Sequence, residues 1–274
     1  MAKWRAFVAY DGTAYQGFQR QVSHVPTVQA ALETALKRLA GGAVTVTGAG
    51  RTDAGVHASG QVIAFELAWR HEPDALARAL NAALPDDIAV QQVEPAEPDF
   101  HPRFSARSRL YRYRVYAAPV RHPLLNRAWH VRAELDGEAM ARAAGMLIGR
   151  RDFASFGQPP QGTNTIRTVI QSEWAREPLY SGALWTYTIE ADAFLQHMVR
   201  RIVGMLIDIG RGWRTAADLG AAMARRQLGH DPWTLAPPHG LTLEQVRYET
   251  AGMRRPLEEI EDDPENLHTE AGRY

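Results

Sequence analysis

Residues 4–10, WRAFVAY, carry alternating strand-type apolar positions and run into Asp11-Gly12, which reads as a strand closed by a turn. The period then changes. VQAALETALKRLA (28–40) sets Val28, Ala31, Leu32, Ala35, Leu36 and Leu39 on one stripe, predicting an amphipathic helix with Thr27 as its N-cap. AVTVT (43–47) and QVIAFEL (61–67) read as strands, PDALARALNAAL (73–84) as a helix and DIAVQQVEP (87–95) as a strand. The first hundred residues thus follow the order β-α-β-β-α-β. A Pro- and Arg-rich connector, EPDFHPRFSARSR, comes next. The order then recurs: LYRYRVYA as strand, GEAMARAAGMLIG as helix, TVIQSEWA and LWTYTIEA as strands, and FLQHMVRRIVGMLIDIG as a long helix. AADLGAAMARR adds a helix and LTLEQVRY a short apolar stretch. The pattern predicts an α+β fold of two ferredoxin-like (RRM-like) halves, residues 1–104 and 105–255, with antiparallel sheets joined into one central sheet.

Residues 256–274 read as a disordered tail, because Glu258, Glu259, Glu261, Asp262, Asp263, Glu265 and Glu270 crowd into it. That tail changes the reading of charge. The whole chain is neutral, yet without residues 258–274 it holds 30 basic against 24 acidic residues. The bases are nearly all arginine, Lys3 and Lys37 being the two lysines. Arginine is the better fork for phosphate, although a codon bias explains the same ratio. A hydrophobic content of 45% with 23% charged residues is that of a globular chain. MAKWRAFVAY has no apolar leader and no segment reaches 18 apolar residues, so no membrane span is expected. Cysteine is absent, which removes disulfides, thiolate metal sites and thiol nucleophiles and fits a cytoplasmic location. The ten histidines show no paired metal-ligand spacing, so no metal is expected.

The chemistry concentrates in GAGRTDAGVHASG, residues 48–60. Its glycines allow a sharp bend and close approach of a ligand. A dinucleotide-type glycine loop fails because Asp53 stands where the third glycine belongs, and no Gly-Lys-Ser or Gly-Lys-Thr is present. An acid there would also repel phosphate. A tight turn with a solvated Asp53, or a catalytic carboxylate with Arg51 beside it, remain as equal readings of the motif alone.

Its companions decide. Together with YDGTAYQGFQRQ (10–21), FHPRFSARSRLYRY (100–113), FLQHMVRRIVG (194–204) and APPHGLTLEQVRY (236–248), the chain resembles the tRNA pseudouridine synthase A family, in order from Tyr10 to Tyr248. The resemblance implies an isomerase that converts uridine to pseudouridine in the tRNA anticodon stem-loop, at tRNA positions 38, 39 and 40. It implies an active-site cleft between the halves, a flipped-out base, a homodimer with tRNA as partner, and no cofactor.

By the same resemblance Asp53 is the nucleophile, and a sheltered carboxylate needs a cation to stay ionised. The 194–210 helix is oily around most of its circumference. On it, Arg200 shares a face with Val203, Gly204 and Ile207, whereas Arg201 lies nearer His197 and Asp208. Arg200 is therefore assigned as the partner of Asp53, against Asp192 or Asp208 as partners in a purely structural role. Tyr111 matches the family's active-site tyrosine, placed to stack on uracil, while Tyr113 reads as core. Arg51 is the candidate to fill the space of the flipped base, and Arg103, Arg107 and Arg109 are candidates for RNA contacts. Two other classes stay open: a non-catalytic RNA-binding protein, and a nucleoside hydrolase pairing Asp53 with Glu190 or Asp192.

Overall fold

The computed structural model describes residues 1–22, 24–160, 162–227 and 233–249, so the acidic tail read over 256–274 lies outside the described residues. Strand β1 (Ala2–Tyr10) leads through a short 3-10 turn to helix α1 (Val28–Ala40). Then come β2 (Thr47–Gly48), β3 (His57–Leu67), helix α2 (Pro73–Ala83) and β4 (Ile88–Pro95). The second half runs β5 (Ala106–Ala117), β6 (Trp129–Val131), α3 (Gly137–Gly145), β7 (Gly149–Asp152), β8 (Ile166–Leu179) and β9 (Gly182–Ala191). It closes with α4 (Met198–Gly210), α5 (Ala216–Arg225) and β10 (Leu241–Tyr248).

One ten-stranded sheet takes the order β4-β1-β3-β10-β5-β9-β8-β7, with β2 also paired to β3 and β6 to β5. Within each half the pairs are antiparallel apart from β5 with β6, and the order is that of a ferredoxin-like unit: β4-β1-β3-β2, then β10-β5-β9-β8. The join is parallel, Thr242 opposite His57 and Leu243 opposite Ala58. The unassigned apolar stretch LTLEQVRY is therefore the strand that ties the halves into one sheet. A second tie crosses at the Asp11 turn. Its carboxylate caps Thr13 N–H at 3.0 Å, takes Arg127 Nη2 at 2.6 Å and lies 3.0 Å from His57 Nδ1. Burial pushes the Asp11 carboxyl up, but the Thr13 bonds, His57 and Arg127 outweigh it and hold it down at about 2.

The helical stripe predicted over 28–40 is α1, with Thr27 Oγ1 capping Ala30 N–H and Gly41 closing it in the left-handed conformation. The strand predicted over 43–47 is not formed as such; pairing is confined to Thr47–Gly48. Two α1 side chains explain this. The Glu33 carboxylate accepts from Val46 N–H at 3.1 Å, and Gln29 Nε2 donates to Val46 C=O at 3.0 Å, meeting the groups a neighbouring strand would have used. The predicted 194–210 helix starts only at Met198, because His197 takes φ 61°.

Helix α4 is buried along nearly its whole length. Gly204 makes its packing possible: a Cβ there would lie 1.6 Å from the Thr234 carbonyl oxygen. Only glycine lets residues 234–236 cross the helix at that height, one turn beyond Arg200. Gly204→Ala should therefore cost about 3 kcal/mol despite alanine's better helix propensity. Urea unfolding of the variant checks this, and an unchanged midpoint would contradict the packing.

Candidate active site

The loop carrying Asp53 follows β2 and is held from several sides. Gln61, fully buried on β3, donates from Nε2 to Gly50 C=O at 2.9 Å and accepts from Gly50 N–H at 3.3 Å. Thr52 Oγ1 bonds the buried Tyr10 hydroxyl at 2.8 Å, and Thr52 C=O accepts from Phe18 N–H at 3.1 Å. Asp53 C=O accepts from Val56 N–H at 3.1 Å, while Gly55 supplies a φ of 75° for the turn. A rigid backbone leaves the Asp53 side chain about one quarter exposed.

Its carboxylate meets the first turn of α4. Arg200 Nη1 donates to Asp53 Oδ2 at 3.0 Å, and Arg200 Nε donates to Ala236 C=O at 2.8 Å. The guanidinium is thus anchored at one edge by the segment that Gly204 admits, with the other edge given to the acid. The Arg200 side chain is 12% exposed, so the attraction is weakly screened by water. The positive end of the α4 dipole adds to it. The alternative acids are engaged elsewhere. Asp192 accepts from Thr168 N–H and Ala193 N–H, Asp208 from Thr234 Oγ1, and Glu190 from Ser108 Oγ with Arg247 nearby. Neither Glu190 nor Asp192 borders the cleft.

That cleft has a volume of about 920 Å³, lined by both halves. Among the described residues Arg20, Arg51, Arg103, Arg109, Arg167 and Arg200 border it, with Asp53 the one carboxylate. Such a balance suits a polyanion, not a second acid. Tyr111, on the central strand β5, is buried and meets Phe194 edge-on at 5.1 Å. Burial first, then the charges of Tyr10 and Asp53, pushes the Tyr111 phenol up, outweighing the opposing pull of Arg109, so it keeps its proton at neutral pH. It is therefore a hydrogen-bond donor in this state. Tyr113 is core, its hydroxyl bonded to Pro237 C=O at 2.7 Å.

The sequence-predicted arginines separate. Arg51 is exposed on the loop two residues from Asp53. Arg103 lies at the rim, its guanidinium 5.5 Å from the exposed Phe104 ring. Arg107 is outside the cleft lining and paired with Glu249. Arg109 is buried, its guanidinium donating to the carbonyls of Asp192 at 2.7 Å, Ala49 at 3.2 Å and Arg103 at 2.5 Å, which makes it a brace for the Asp53 loop. Sequence reasoning missed Gln61, Arg20, Arg167 and His197 as parts of the site. Two of these carried a signal, Arg20 inside the YDGTAYQGFQRQ motif and His197 inside FLQHMVRRIVG.

A family model described as tRNA pseudouridine synthase matches residues 6–105 and 143–249. A protein named tRNA pseudouridine synthase A from Neisseria gonorrhoeae (strain NCCP11945) is 42% identical over 257 residues, covering 93% of this chain and 95% of its own. Proteins of the same name are 43% identical over 243 residues in Chloroflexus aurantiacus (88% and 87% covered) and 39% over 254 residues in Syntrophotalea carbinolica (90% and 97%). Fold, site and kinship together define an isomerase of the pseudouridine synthase class. Within that class, the chain belongs to the tRNA pseudouridine synthase family.

Proposed function

We propose that the protein isomerises uridine to pseudouridine in the anticodon stem-loop of tRNA, at tRNA positions 38–40, with Asp53 as nucleophile. The observation that carries this reading is the Arg200–Asp53 contact of 3.0 Å in an arginine-lined cleft. In the reaction the N1–C1′ bond breaks, a C5–C1′ bond forms, the C5 proton leaves and N1 gains one. Atoms and electrons balance without a redox partner or co-substrate. Asp53 bonds the nucleoside transiently and is released before the product leaves.

The base must leave its stack to reach Asp53, at a cost of a few kcal/mol. Stacking on an aromatic ring returns about 1–3 kcal/mol, and this reading assigns that role to Tyr111 beside Phe194. Arg51 is placed to occupy the vacated position, and Arg103 to hold a phosphate. The halves on either side of the cleft, meeting between residues 104 and 105, act as its two jaws. A homodimer and a cytoplasmic location belong to the same reading and rest on kinship alone.

Incubating the pure protein with an unmodified tRNA transcript and mapping pseudouridine tests the proposal. Pseudouridine at positions 38–40 with the base retained is the expected result. Release of free uracil would indicate a hydrolase, and binding without conversion an RNA-binding protein. Arg51→Ala and Arg103→Ala should each raise KM for tRNA about three- to tenfold and flatten its salt dependence by about one ion. Arg107→Ala should leave KM within about twofold, and equal effects from all three would contradict the assignment.

A further inference from the structure

Four non-glycine residues have a positive φ among the described residues: His24, Tyr180, His197 and Arg226. His197 is the one of these that borders the cleft. It stands at the N-cap of α4 with φ 61° and ψ 6°, where a cap ordinarily has extended backbone and a side chain bonded to the first turn. Its side chain makes no capping bond. Glycine would take this conformation without strain, so a retained imidazole calls for a task of its own.

The surrounding chain enforces the strained backbone. Arg201 Nη1 donates to the carbonyls of Phe156 and Gln196, each at 3.0 Å, and Gln196 N–H donates to Gln158 C=O at 2.9 Å. A Cβ on Gly157 would come within 2.5 Å of Gln196 C=O, so the two segments are pressed together. Held this way, His197 Nε2 lies 3.5 Å from Asp53 Oδ2. That is the same oxygen that takes Arg200 Nη1 at 3.0 Å. Burial, seconded by Arg200 and Arg201, lowers the His197 imidazole below its ordinary range against the opposing pull of Asp53. Facing a carboxylate, the ring presents a protonated Nε2 to it. At 3.5 Å this is a close approach, longer than a formed hydrogen bond.

We propose that His197 is a positioning residue: with Arg200 it holds Oδ2 of Asp53, so that Oδ1 is the oxygen presented to the nucleoside. This rests on the reading of Asp53 as nucleophile. The bond to the attacked carbon forms from an Oδ1 lone pair, and its electrons return to Oδ1 when the product is released. A second N–H donor closing on that oxygen beside Arg200 would fix the carboxylate's rotation, which one donor alone leaves loose.

The test is kcat, KM, tRNA affinity and thermal midpoint for His197→Gly and His197→Gln. His197→Gly relieves the strain, so its thermal midpoint should equal or exceed that of the wild type. Its KM and affinity should stay within about twofold while kcat falls about ten- to a hundredfold, the scale of a misplaced reacting group. Glutamine carries its amide Nε2–H to about the reach of the imidazole Nε2, so His197→Gln should recover at least about threefold of the kcat lost in His197→Gly. A kcat within about twofold of wild type in His197→Gly would overturn the proposal. So would a raised KM with kcat preserved, or equal kcat in the two variants. Asp53→Asn in the same assay separates the two readings. Turnover surviving there sinks the nucleophile assignment, whereas its loss beside an unchanged His197→Gly kcat sinks the positioning role alone.

Discussion

Asp53→Asn should abolish pseudouridine formation, lowering kcat by at least about 10⁴-fold, while tRNA affinity remains within a few-fold of wild type. The carboxamide is nearly the same size and keeps an acceptor for Arg200, so neither the loop nor the cleft has cause to collapse. The Asp53 loop is secured by Gln61, Thr52 and Arg109, none of which uses the Asp53 side chain. What the variant loses is the negative charge and the lone pair able to bond carbon. Single-turnover conversion and filter binding on the same tRNA separate these effects. Turnover at the wild-type rate would remove Asp53 from the chemistry.

Arg200→Ala should cost about 10²–10³-fold in kcat, the range for removing one preorganised charge partner in a sheltered site. The variant also strands Ala236 C=O, which Arg200 Nε satisfies at 2.8 Å, so a loss of stability of about 1–3 kcal/mol is expected beside the kinetic one. Arg200→Lys should not restore activity. A lysine carries one compact ammonium where the guanidinium engages Ala236 at one edge and Asp53 at the other. Steady-state kinetics of both variants check this, and a lysine variant within a few-fold of wild type would show that charge alone suffices.

Much of this site is written in local pattern. The oily helix could be read from its composition, and the face shared by Arg200, Val203, Gly204 and Ile207 pointed to a dry contact. Tyr113, read as core, is fully buried on β5. The remainder depends on partners distant in sequence. Nothing local says that Val46 will be claimed by Glu33 and Gln29, which is why AVTVT reads as a longer strand than it forms. The tie between the halves passes through β10, whose pairing with β3 joins residues nearly two hundred positions apart. Arg109 shows the limit most plainly. An arginine in a basic run reads as an RNA contact, and only the fold reveals carbonyls surrounding its guanidinium.

The most direct measurement is a structure of the Asp53→Asn protein bound to an unmodified substrate tRNA. The target uridine should be out of its stack, its ring against Tyr111, with C1′ or C6 about 3–3.5 Å from the side chain at position 53 and Arg200 still bonded to that side chain. A uridine stacked in its helix, or held in a part of the cleft remote from position 53, would contradict a catalytic role for the Asp53–Arg200 pair.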